Sequence, residues 1–154
     1  QKQAAAVYAA TKLPEYKTTL PGNKNVFLSP FVGRLDDRGE NGMSFIKNVL
    51  AMYETSDHHV EVLTASVRTL DHFMAALAVG SDIITAPFNV LKAWAESGVK
   101  IPDKNFMYKT ENLKDIPYQN LDLNKDWTSF DIYHDLTDSG LDRFATDANN
   151  LLSS

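Results

Sequence analysis

Val26 to Asp37, VFLSPFVGRLDD, is the stretch on which the reading of this chain turns. Val26 to Leu28 is an apolar, strand-forming run. It passes into a loop carrying Ser29, Arg34, Asp36 and Asp37. Residues 60–69, VEVLTASVRT, repeat the pattern: a strand-like run, then Ser66 and Arg68. If the two runs are neighbouring parallel strands, these serines and arginines meet at one sheet edge. Guanidinium presents a planar fork of donors that matches phosphate oxygens, and serine adds a short neutral donor. Spacing alone leaves a second reading open, in which the arginines are surface residues paired with Asp36 or Asp37. It also leaves Phe31 divided between an apolar wall of the site and ordinary core packing.

Outward from this stretch the chain alternates strands and helices. QKQAAAVYAATKL opens inside a helical pattern with no capping residue ahead of it, which leads to the expectation of further residues upstream. Pro14 to Asn25 reads as a polar connection and Val26 to Ser29 as the first strand. A helix follows over about 42–54, with Met43, Phe45, Ile46, Val49, Leu50 and Tyr53 on one face. Val60 to Ala65 is the second strand. Its helix starts at Thr69 as N-cap, runs through Leu70, Phe73, Met74 and Leu77, and ends at Gly80. Asp82 to Ala86 is the third strand. Pro87 suits a first helical position, Phe88, Leu91 and Trp94 form the expected buried stripe, and Gly98 ends that helix. Such alternation predicts an α/β fold with a parallel sheet and right-handed crossovers.

Three segments result. Residues 1–96 form βα units. Residues 97–134 lack periodicity but carry Pro102, Tyr108, Pro117, Tyr118, Trp127 and Tyr133, and read as an ordered, aromatic-anchored excursion. Residues 135–154 contain a last helix from about Thr137 or Asp138. Its apolar stripe of Leu141, Phe144, Ala145, Ala148, Leu151 and Leu152 needs a surface to dock on.

Composition narrows the function. The chain has 154 residues, 44% of them hydrophobic, enough for one domain with a core. A net charge of −5 and scattered basic residues argue against nucleic-acid and anionic-membrane partners. There is no cysteine, hence no disulfide or thiolate chemistry, which fits a cytoplasmic location. No apolar run approaches the ~18 residues of a membrane span.

Other candidates for chemistry fall away. Gly33, Gly39 and Gly42 make the first loop flexible or tightly turned, but the P-loop pattern is absent. Asp36 and Asp37 read as supports that orient Arg34. His58 and His59 read as a solvated loop, since no ligand cluster accompanies them. Asp122-x-Asn124-x-Asp126 opens like a calcium loop, but Trp127 stands where glycine is required and Tyr133 where glutamate is required. His72 and His134 have no readable partner. Every lysine falls on a predicted loop, helix end or solvent face. None lies in a strand interior, where desolvation would depress its pKa. No residue of this chain is therefore nominated as catalytic, and none as a metal ligand.

SPFVGRLDD (29–37), ASVRT (65–69), VGSDIITAPFNVL (79–91) and LTDSGLDRFATD (136–147) together resemble the transaldolase family, the small (β/α)8 enzymes that include transaldolase and fructose-6-phosphate aldolase. The resemblance covers most of 1–98 and 134–152, with four motifs agreeing in order. It implies the C-terminal part of a TIM barrel, from the fifth helix through strands six to eight and the eighth helix, plus a C-terminal helix. A whole barrel takes about 250 residues. It further implies that Arg34, Ser66 and Arg68 hold a sugar phosphate, with Ser29 near the substrate hydroxyls. The family's chemistry is a lysine Schiff base that moves or releases a dihydroxyacetone unit from ketose phosphates, without metal or organic cofactor. That lysine belongs on the fourth strand, with acidic partners on the first and third. The implied partners are a ketose phosphate, the N-terminal half of the barrel on the same or a separate chain, and further copies of the protein, because the C-terminal helix of the family packs across subunits. The alternative is a non-catalytic half-barrel that binds sugar phosphates and self-associates.

Overall fold

In the computed structural model the described residues are 1–12, 26–103, 105–110 and 112–152. The connection expected over Pro14 to Asn25 lies outside them. One parallel sheet forms in the order β1 (Val26–Leu28), β2 (Val60–Thr64), β3 (Ile83–Ile84). Val26 is in register with Val60, and Leu63 with Ile83. Helix α1 (Lys2–Ala10) precedes β1. Helices α2 (Val32–Asp36) and α3 (Gly42–Tyr53) link β1 to β2, α4 (Leu70–Ala78) links β2 to β3, and α5 (Phe88–Glu96) follows β3. The chain is thus α/β with parallel strands, as a partial (β/α)8 unit requires.

Local chemistry explains the helix ends. The Asn41 side chain accepts from the amides of Met43 and Ser44, capping α3, and its own amide donates to Asp115. Thr69 accepts from the His72 amide and caps α4, as the sequence predicts. Gly80 and Gly98 take positive φ, 76° and 88°, just past the ends of α4 and α5, where a side chain would be strained.

The core lies between the helices and one face of the sheet. Ile46 and Val49 of α3, Val62 of β2 and Ala76 of α4 are fully buried there. The strand alternation places Phe27, Glu61 and Leu63 on the other face. Phe27 is 51% exposed, although parallel sheets are ordinarily covered on both sides.

Several expectations are corrected. The stretch after β1 is a helical turn, α2, and not a loop. The third strand shrinks to Ile83–Ile84. Pro87 is the N-cap of α5 and not its first residue. Phe88 is 80% exposed and Leu91 is exposed, while Val90 is buried and Trp94 packs on Phe73 with ring centroids 5.0 Å apart. The inward face of α5 is therefore the 90/94 pair, one helical turn apart.

In 97–134 the residues packed against the core are Phe106, Tyr108, Leu121, Leu123 and Phe130. Tyr118, Trp127 and Tyr133 are exposed. Trp127 opens a short 3₁₀ turn, Trp127–Ser129. The last helix, α6 (Asp135–Leu152), starts earlier than the sequence predicts, and its apolar stripe lies open: Leu141 and Phe144 are each 62% exposed. Among the described residues no helix is long and apolar enough to cross a membrane.

Candidate functional site

Because β1 and β2 are parallel and adjacent, the segments that leave them emerge at the same sheet edge. Backbone bonds carry the pairing past the strands: Ala65 donates to Pro30, Val32 to Ala65 and Gly33 to Ser66, at 3.0, 3.0 and 3.2 Å. Phe31 bridges Ala65 in parallel. Ser29 is exposed at the end of β1, and Phe31, 47% exposed, stands at the rim and not in the core.

Ser66 has φ 58°, in the left-handed region that non-glycine residues seldom occupy. Such conformations cluster at ligand sites when the surroundings hold them. Here the hold is the bond from Gly33 to the Ser66 carbonyl. Gly33 is glycine for a related reason. A Cβ there would lie 2.5 Å from Arg68 Nε and 2.6 Å from the Ser66 carbonyl oxygen. Close approach, and not flexibility, is its use. The same holds at Gly42, where a Cβ would lie 2.5 Å from the Val32 carbonyl oxygen.

Arg68 stretches across this junction and grips Asp37 with both terminal nitrogens, 2.5 and 2.7 Å from the two carboxylate oxygens. The hydrogen bond from Arg68 holds Asp37 below the usual carboxylate range, with the charges of Arg68 and then Arg34 adding to it. Asp37 in turn raises Arg68 further. Arg34 itself is exposed, and among the described residues no hydrogen bond or ion pair engages its side chain or the hydroxyls of Ser29 and Ser66.

Asp36 and Asp37 do not orient Arg34, as the sequence suggested. Asp37 serves Arg68, and Asp36 turns inward. Its Oδ2 meets His72 Nε2 at 2.7 Å and accepts from the Tyr108 hydroxyl at 2.6 Å, while Oδ1 accepts from the Gly42 amide at 2.9 Å. His72, without a readable partner in the sequence, is buried here, and its Nδ1 accepts from the Arg68 amide at 3.3 Å. Burial pushes the Tyr108 phenol up, and the bond to Asp36 adds to this. The one sequence signal for His72 was its place three residues after a cap, on the first turn of a helix leaving the site. The sequence marks Tyr108 only as an aromatic anchor of 97–134, with nothing to place it beside Asp36 and His72.

His59 also departs from expectation. It is buried and not a solvated loop residue: Nδ1 meets Asp57 at 2.5 Å, Nε2 meets the Thr11 hydroxyl at 2.9 Å, and its ring packs on Tyr8. This cluster precedes β2, at the edge opposite the arginines. Near it, beside the N-terminal ends of β2 and β3, a cleft of about 420 Å³ is lined by residues including Lys47, Glu54, His58 and Asp82. None of the described lysines is buried or lies on a strand; Lys17, Lys24 and Lys104 fall outside the described residues. Among the described residues no three His, Asp or Glu side chains are grouped to hold a metal ion.

The family described as Transaldolase/Fructose-6-phosphate aldolase matches over residues 1–154. A probable transaldolase of Mesorhizobium japonicum is 42% identical over 92 residues, covering 49% of this chain and 42% of the relative. One from Brucella anthropi is 41% identical over 92 residues, with the same two coverages, 49% and 42%. One from Chlorobium chlorochromatii is 48% identical over 66 residues, covering 43% of this chain and 30% of the relative. The chain thus spans less than half the length of the curated relatives it matches. With the family matched from the first residue to the last, the chain belongs to the Transaldolase/Fructose-6-phosphate aldolase family.

Proposed function

We propose that this chain is the phosphate-binding, C-terminal side of a transaldolase-type (β/α)8 enzyme acting on ketose phosphates such as fructose 6-phosphate. The observation that carries the reading is the Arg68 fork closed on the two oxygens of Asp37 where two adjacent parallel strands end, with Ser29, Arg34 and Ser66 on the same two segments. A guanidinium fork already fitted to two oxygens is geometrically suited to a phosphate. The half-covered sheet face around Phe27 supports the reading, since further strands closing a barrel would cover it. The N-terminal half of that barrel is the partner this surface needs, and a second copy of the protein is the partner for α6.

In the complete enzyme a lysine amine supplied by the other half adds to the ketose carbonyl and loses water to give an iminium. A base takes the proton of the hydroxyl next to the breaking carbon–carbon bond, the iminium takes up that bond's electron pair, the aldehyde portion leaves, and a three-carbon enamine remains on the lysine. This chain's part is to anchor the phosphate, so that the carbonyl meets the amine in a fixed orientation. None of its own described lysines is buried or lies in a strand interior, where such a nucleophile would be desolvated.

Borohydride reduction in the presence of fructose 6-phosphate tests this division of labour. The expected result is no mass increase on the 154-residue chain alone, and an adduct on an added polypeptide that supplies the first five strands. A stoichiometric adduct on a lysine of the 154-residue chain would overturn the assignment.

A further inference from the structure

Arg68 is held at both ends by consecutive acids. Asp37 takes its guanidinium, and Asp36 reaches its main chain through the His72 ring. Because the Arg68 N–H donates to Nδ1, that nitrogen is unprotonated. The ring proton therefore sits on Nε2 and faces Asp36 Oδ2 at 2.7 Å and the Tyr108 oxygen at 2.6 Å. Tyr108 in turn donates to Asp36, and Asp36 receives the first amide of α3. The ring thus has two polar contacts on one side and the Arg68 peptide on the other. It is nearly buried, at 4% exposure, so its orientation is fixed.

Tyr108 comes from the irregular segment 97–134, whose Lys114 and Asp115 also bond Gly39 and Asn41 in the turn after α2. We infer that His72 and Tyr108 are positioning residues for the anion site, and that segment 97–134 acts through Tyr108 to lock the Arg68 peptide in its binding position. The inference rests on the phosphate reading above and deepens it. Neither residue touches the ligand; both act on Arg68. The left-handed Ser66 two residues earlier gives the lock its purpose, because a peptide segment in a sparsely populated conformation relaxes unless its neighbours hold it.

The test titrates inorganic phosphate into the ¹⁵N-labelled chain and follows the Arg68 amide, alongside thermal melting. Arg68→Ala is expected to lose phosphate binding. Tyr108→Phe removes one oxygen, and His72→Gln keeps a donor at the Nε2 position but no acceptor for the Arg68 amide. Each should weaken phosphate by about fivefold, the weight of one hydrogen bond. His72→Asn, whose amide oxygen replaces Nδ1 but which lacks the Nε2 link to Asp36 and Tyr108, should weaken phosphate to a similar extent. The His72 ring should show an unprotonated Nδ1 in its ¹⁵N spectrum.

If Arg68→Ala abolishes binding while Tyr108→Phe and His72→Gln bind like the parent, the positioning role is wrong and the phosphate reading stands. An Nδ1-protonated ring would also overturn the positioning role. If the parent shows no phosphate-dependent shift, or Arg68→Ala binds as well as the parent, the phosphate reading fails and this inference fails with it. Should a His72 variant not fold, Tyr108→Phe decides, since it leaves the ring volume in place.

Discussion

Arg68 and Asp37 form a two-pronged ion pair, with both terminal nitrogens on both carboxylate oxygens. The pair joins the segment after β2 to the turn after β1, and it uses the same fork that a phosphate would engage. On the proposed phosphate reading, Asp37 is a built-in anion that an incoming phosphate would displace or share.

Asp37→Asn removes that competitor. Exposed pairs of this kind contribute little to stability, so phosphate affinity should rise by up to about fivefold while stability barely changes. Calorimetric titration of inorganic phosphate into the two proteins reads the effect. A loss of affinity instead would make Asp37 a brace for Arg68 and not its competitor.

Gly33→Ala should cost about 1–3 kcal/mol, the range for overpacking. Its Cβ would force Arg68 Nε and the Ser66 carbonyl away from 2.5 and 2.6 Å. Phosphate affinity should fall with stability. Gly39→Ala is the control: its φ of 77° strains any side chain, but nothing lies within 4 Å, so it should cost about 1 kcal/mol and leave affinity alone. Urea unfolding of both variants separates contact from conformation.

Asp57 tests the opposite edge. Partial burial pushes its carboxyl up, but the hydrogen bonds from His59 and Tyr8 outweigh this and hold it below the ordinary range. A depressed pKa stabilises the fold above the unfolded value of 3.8, and the contribution is lost as pH falls through the lower folded value. Asp57→Asn should thus lower stability at pH 7 by about 1–2 kcal/mol, because it leaves the buried His59 with a poorer partner. The gap to the parent should close only in acid, below the ordinary carboxylate range. A gap that vanishes already near neutral pH would assign the effect to another group.

Phe144 and Leu141 lie open on α6. If a second copy covers them, Phe144→Glu should lower the solution mass measured by light scattering. An unchanged mass would remove α6 from the association surface.

What the sequence made legible was the part governed by local pattern. Strand-to-loop passages at Val26–Leu28 and Val60–Thr64, the Thr69 cap and the glycines after α4 and α5 follow from periodicity and capping rules that act within a few residues. The pairing of Arg68 with Asp37, across 31 residues, was legible only as one of two open readings. The Asp36–His72–Tyr108 contacts span 36 and 72 residues and leave no local mark, so His72 looked partnerless. The outward turn of Phe88 was misread because a shift of one residue at a helix start rotates every side chain by about 100°.

On our proposal the strand ends at Ser29–Arg34 and Ser66–Arg68 hold a sugar phosphate. Amide shift mapping on the ¹⁵N-labelled chain, with fructose 6-phosphate and with fructose, tests it most directly. Shifts are expected to centre on residues 29–34 and 66–68 with the phosphate ester alone, and to be abolished in Arg68→Ala. Equal shifts with fructose, or shifts centred on the cleft near His58 and Asp82, would contradict it.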